Sequence, residues 1–153
     1  MKKAAVFFLV FILIIIFRLE NVYSQSPVTS KRVVIHADAG WQDTGIKLET
    51  GQYYSVSARG TWVSGYGTPY SGPDGMGCGT LTNNALLGFT SEKRPPKLTY
   101  DAFKREIISS IILIGEGGLF KAVGEGNLWL GMGDWSDSKE RAGELEVLIV
   151  VYE

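Results

Sequence analysis

Apolar and polar residues alternate over short runs along most of this chain, and the runs end in glycine or in small polar residues. "KRVVIHA" (31–37) is rich in β-branched residues and predicts a first strand. "GIKLETGQYYSVSARGTW" (45–62) predicts strand, Glu-Thr-Gly turn and strand, with Tyr54, Val56 and Ala58 alternating against Tyr53, Ser55 and Ser57. "SSIILIG" (109–115) is a short unbroken apolar run, the pattern of a strand buried on both faces. "LFKAVGEGNLWLGMG" (119–133) predicts two strands around Gly-Glu-Gly. In "ELEVLIVVYE" (144–153), Leu145, Val147, Ile149 and Val151 share one face. Glu144 and Glu146 begin the other face, and Leu148, Val150 and Tyr152 continue it, so that face is expected to start wet and become buried.

No long stretch places apolar residues at three-to-four spacing between caps; Asp101–Arg105 predicts one helical turn at most. Short strands at intervals of roughly ten residues, joined by glycine turns, predict an all-β fold, an antiparallel β-sandwich. One segment resists. From Ser64 to about Arg105 the chain is rich in Gly, Pro, Asn and Thr, with "NALLGF" as its apolar patch. A connection of that length in a small domain is expected to carry function or to move.

The N-terminus does not belong to this pattern. Lys2 and Lys3 precede the apolar run 4–17, and Val22 and Ser24 sit at the small-residue spacing of a cleavage site. This layout predicts a secretory signal peptide over 1–24, too short for a stable span, and a single domain over 25–153. The chain is then secreted or periplasmic, with no membrane span after cleavage. Without Lys2, Lys3, Arg18 and Glu20, 12 basic and 15 acidic residues remain, a net charge of −3. That balance, with no Lys/Arg-dense stripe, argues against nucleic acid as a partner. "KRPPK" (93–97) is the densest basic cluster, and its two prolines suggest an exposed bend. Cys78 is the one cysteine, so no intramolecular disulfide forms and stability rests on an apolar core.

Catalytic chemistry is thin. The sequence holds no Gly-x-Ser-x-Gly elbow, phosphate-binding loop, His-Glu-x-x-His or Cys-x-x-Cys. The one histidine, His36, lies in a strand and reads as packed or hydrogen-bonded there. "GEGG" (115–118) and "GEGN" (124–127) lack the third glycine of a dinucleotide loop and read as turns. Glu144 and Glu146 share a strand face about 6.6–6.8 Å apart by strand rise, the separation of an inverting glycosidase pair. Two glutamates on a wet terminal strand are also commonplace. The expectation is that the chain is not an enzyme.

"MGDWSDSKERAGEL" (132–145) is better motivated. Asp134, Asp137 and Glu140, with Ser136 and Ser138 between them, place carboxylates and hydroxyls on one short excursion between strands. A hard cation such as calcium takes six to eight such oxygens. Asp, Ser and Lys are equally the residues of an ordinary solvated turn. No Asp-x-Asp-x-Asp-Gly pattern decides between the two.

"AGWQDTGIKLETGQYYSVSARGTWVSGYG" (39–67), "SGPDG" (71–75), "YDAF" and "IILIGEGG" within 100–118, and "GNLWLGMGDWSDSKERAGELEVLIV" (126–150) together resemble, in order, the small bacterial galactophilic lectins of the PA-I type. The resemblance covers nearly all of the chain after the leader. It implies a β-sandwich of galactose-binding-domain-like (jelly-roll) architecture, one calcium at the loop before the last strand, and sugar hydroxyls completing the calcium shell. By position it implies Asp134 as the first loop ligand, Tyr66 as a backbone-carbonyl ligand and Ser138 or its neighbour as another. Trp135 then stands near the sugar. The chain departs from the family where two successive asparagines precede Ser-Gly; here the residues are Glu140, Arg141, Ala142 and Gly143. Arginine has only donors, so Glu140 or Asp137 is left to replace the lost amide oxygens, or Arg141 pairs with Asp134 or Asp137 in the cation's place. No histidine stands in residues 76–99 to match the family's sugar-contacting one.

The expectation is thus an exported, non-catalytic, lectin-like protein that binds carbohydrate, of galactose type, through Asp134, Trp135, Ser138 and Tyr66. Calcium would be held by Asp134, Asp137, Ser138, Glu140 and Tyr66, and a homo-oligomer is left open. The rivals are a sandwich of the same fold that has lost metal and sugar and contacts a protein or envelope component, and a small glycan-acting enzyme.

Overall fold

A computed structural model of the chain describes residues 26–65, 69–76, 84–97, 110–133 and 140–153. Its strands are β1 (Pro27–His36), β2 (Gln42–Leu48), β3 (Tyr53–Val63), β4 (Ala85–Ser91), β5 (Ile111–Leu113), β6 (Gly117–Lys121), β7 (Gly126–Gly133) and β8 (Ala142–Tyr152). They form two four-stranded sheets, ordered β1-β8-β3-β6 and β2-β7-β4-β5, with every neighbouring pair antiparallel. The expected β-sandwich is therefore the fold. Apart from β4 to β5, each connection carries the chain from one sheet to the other. No helix among the described residues is long and apolar enough to cross a membrane.

The core lies between the sheets and follows the period-two pattern. Tyr54, Val56 and Ala58 of β3 and Leu145, Val147, Ile149 and Val151 of β8 face inward, opposite Ile46, Leu48, Leu86, Leu128 and Leu130. The turn predicted at Glu49–Gly51 is there, closed by Gln52 N–H donating to the Glu49 carbonyl at 3.0 Å. It hands the chain between sheets, since β2 and β3 lie in different ones.

Three expectations need correction. The apolar run 109–115 yields only the short edge strand β5, with Leu113 44% exposed. It pairs with β4 on one side alone, and apolarity by itself does not distinguish a central strand from an edge one. The strand buried on both faces is β4, with Ala85, Leu86, Leu87 and Gly88 all buried, and it lies inside the segment that read as a long connection. Burial on both faces removes the alternation that would have marked it. On β8, Leu148, Val150 and Tyr152 are half-buried rather than buried, because no described element packs over that outer face. The outer face of the other sheet is covered: Trp41, Ala85 and Leu87 form a second cluster with Phe89, Ile111 and Trp129. Trp41 fits there because Gly131 lies beneath it. A Cβ at Gly131 would meet the Gly40 carbonyl oxygen at 3.0 Å and the indole at 3.2 Å.

Candidate functional site: one end of the sandwich

Four strand ends meet at the same end of the two sheets. Val63 of β3 pairs with Ala142 of β8, and Ala85 of β4 pairs with Gly133 of β7. Asn84 N–H donates to the Gly133 carbonyl at 2.9 Å, and Ala37 N–H to the Gly143 carbonyl at 3.1 Å. The segment 64–76 and the acidic loop 134–141, far apart in sequence, both leave from this end.

The "SGPDG" stretch ties the long connection down. Ser71 and Trp62 exchange two backbone hydrogen bonds of 3.0 Å, Gly75 N–H closes a turn onto the Gly72 carbonyl, and Leu86 N–H donates to the Pro73 carbonyl at 2.7 Å. The Asp74 carboxylate accepts Glu116 N–H at 2.8 Å. A motif that reads as part of a binding loop thus also clips that loop to β3, β4 and the β5–β6 turn.

Asn84 stands at the centre of this end. Its backbone is left-handed, φ 67°, a conformation asparagine tolerates better than other side-chain-bearing residues. Its carbonyl accepts the Trp62 indole N–H at 2.6 Å. Its side chain is fully buried, yet among the described residues neither carboxamide atom has a hydrogen-bond partner, and the same holds for the Ser71 hydroxyl. Orphaned buried polar atoms each cost about 1–3 kcal/mol, and three of them gather beside the loops that the sequence singles out.

A cleft of about 510 Å³ opens nearby, walled by Asp38 and Trp41 of the β1–β2 turn, Arg94 and Lys97 of the basic bend, Met132 of β7 and Arg141. Trp41 donates its indole N–H to the Pro96 carbonyl at 3.1 Å and packs on Phe89 with ring centroids 6.2 Å apart. Arg94 reaches back to the Ala39 carbonyl at 3.0 Å. The "KRPPK" bend is exposed as expected except at Pro95, which is buried. Reading it as a surface bend missed its role as a cleft wall. Its status as the densest basic cluster was the available signal.

Asp134, Trp135, Asp137, Ser138 and Tyr66 lie outside the described residues, as do Cys78, residues 1–25 and the turn expected at 101–105. Glu140 is described: it is exposed, and its neighbour Arg141 is half-buried. No group of three or more His, Cys, Asp or Glu gathers among the described residues, so of the calcium ligands implied by resemblance only Glu140 is placed by them.

Both glutamates at the start of β8 have partners. Glu144 faces His36 Nδ1 at 3.2 Å, and Glu146 accepts Arg59 Nε at 2.8 Å and a second Arg59 nitrogen at 2.5 Å. His36 is therefore a surface residue of the outer sheet face, and the two glutamates sit on that face beside His36 and Arg59. All three described indole N–H groups bond backbone carbonyls, Trp41 to Pro96, Trp62 to Asn84 and Trp129 to Ser91 at 3.0 Å, so each is fixed within the sandwich or at its edge.

No family model matches the chain, and no curated protein matches it. Among solved structures it is similar to one described as the EclA N-terminal domain, a PllA-like lectin. The two share 21% identity with a TM-score of 0.58, over 82% of this chain and 97% of the other. That likeness relates the fold to a lectin fold.

Proposed function

We propose that the chain is an exported, non-catalytic carbohydrate-binding protein that takes galactose-type sugars through the loop 134–143 and the facing part of 64–76. The observation that carries this reading is the convergence of those two segments on adjacent, paired strand ends of both sheets. The similarity of the fold to a domain described as a lectin supports it. Calcium is part of the proposal: Asp134, Asp137 and Glu140 would supply carboxylate oxygens, Ser138 and Tyr66 further oxygens, and the sugar's hydroxyls the open positions. Trp135 would offer an apolar face to the pyranose.

Arg141 favours the metal-free rival, because it stands next to Glu140 on the wall of a cleft that already carries two other cations. Retention of the protein on a galactose matrix separates the readings. The proposal expects retention with calcium, release by chelator, and no retention of Asp134→Ala. Retention that ignores chelator overturns the calcium bridge, and no retention under any condition overturns galactose as the ligand.

A further inference from the structure

The described tyrosines of this sandwich are committed, with one exception. Tyr54 is sealed in the core against Phe120. The Tyr152 hydroxyl bonds the Ser55 hydroxyl at 3.0 Å, and the Lys121 ammonium sits 5.4 Å from the centre of the Tyr53 ring. Tyr70 differs. It is 63% exposed, the one exposed phenylalanine, tyrosine or tryptophan among the described residues. No hydrogen bond or ring contact engages it there.

Its backbone, by contrast, is held. Ser71 exchanges two backbone hydrogen bonds with Trp62, and the Pro73 carbonyl accepts Leu86 N–H. Pro69 precedes Tyr70, and a proline ring fixes its own φ. Ser71 is buried, so alternation along an extended chain turns Tyr70 outward. A ring carried outward on a fixed backbone has only two side-chain torsions to lose on binding.

The location is specific as well. The antiparallel bridge between Ser71 and Trp62 sets Tyr70 level with Val63. Val63 in turn pairs with Ala142, where the loop 134–141 rejoins β8. Two strand spacings, about 10 Å, therefore separate Tyr70 from the base of that loop. This is the step from one pyranose to the next ring of a disaccharide. Phenol and pyranose are complementary in kind, since the apolar ring face takes the sugar's C–H face while both polar edges stay in water.

We infer that Tyr70 is a binding residue for the second ring of a galactose-type disaccharide, stacking on the pyranose next to the one taken by the loop 134–143. The inference rests on the carbohydrate-binding reading and extends it from one sugar unit to two.

Calorimetric titration of the protein in calcium with lactose (β-linked) and melibiose (α-linked), each against methyl galactoside of the same anomer, tests this. At least one disaccharide is expected to bind about fivefold more tightly than its methyl galactoside. Tyr70→Ala should remove that advantage while keeping the methyl galactoside affinity and the melting temperature. Tyr70→Phe should retain it, because the ring face makes the contact. Disaccharides that bind no better than methyl galactoside, or that bind Tyr70→Ala as they bind the parent, overturn the inference and leave the carbohydrate reading standing. A Tyr70→Phe that loses as much as Tyr70→Ala overturns stacking in favour of a hydroxyl hydrogen bond. A sedimentation coefficient changed by Tyr70→Ala, with sugar binding intact, overturns it in favour of a contact between chains. No binding of any sugar overturns both the inference and the reading beneath it.

Discussion

Tyr54 is fully buried in the sandwich, packed on Phe120 at 5.6 Å between ring centroids, and its hydroxyl has no hydrogen-bond partner among the described residues. Burial pushes its pKa from 10.0 to about 12. Between those values the unfolded chain releases the phenolic proton while the folded one keeps it. The folded state therefore binds more protons, and stability falls as pH rises from 10 toward about 12, by on the order of 2 kcal/mol from this group. Denaturant melts across that range should show the loss in the parent and a smaller one in Tyr54→Phe. At neutral pH the same variant should match or exceed the parent, by about 1 kcal/mol, because it removes an unpaired buried hydroxyl. Asn84 carries a second residue-level prediction. Glycine accepts its φ of 67° and removes two orphaned polar atoms, so Asn84→Gly should melt close to the parent. Asn84→Val should lose about 1–2 kcal/mol from backbone strain.

Strands with one wet face announced themselves: β3 and the first half of β8 alternate cleanly, as does the buried stripe of Leu145, Val147, Ile149 and Val151. β4 did not, because "ALLG" is buried on both sides and its start is set by a left-handed asparagine rather than by a turn dipeptide. β5 misled in the opposite sense, since an apolar run reports hydrophobicity and not the number of neighbours a strand has. With residues 134–139 outside the described ones, the candidate site was legible only as a proposal, an acidic loop next to a resemblance. Its basic wall was not, because the bend 94–97 reaches the β1–β2 turn only through tertiary contacts, Trp41 with Pro96 and Arg94 with Ala39. Gly131 tests this element directly. Gly131→Val would press on the Gly40 carbonyl and the Trp41 indole and should cost about 1–3 kcal/mol by overpacking. A red-shifted tryptophan emission on substitution, together with a lowered melting temperature, would report Trp41 leaving its seat; an unchanged spectrum and melt would show that the indole does not depend on that contact.

At the scale of the whole molecule, two sheets with near-universal crossing connections bring loops distant in sequence to one end. There the orphaned polar atoms of Asn84 and Ser71 lie beside the strand ends that the loop 134–141 joins. Ligands that bind only the native state raise its stability, by about 2.7 kcal/mol at a hundredfold excess over the dissociation constant. The most direct measurement is therefore a thermal melt of the protein in chelator, in calcium, and in calcium with galactose. The account predicts a rise on adding calcium, a further rise with the sugar, and loss of both in Asp134→Ala. Three superimposed curves would contradict it.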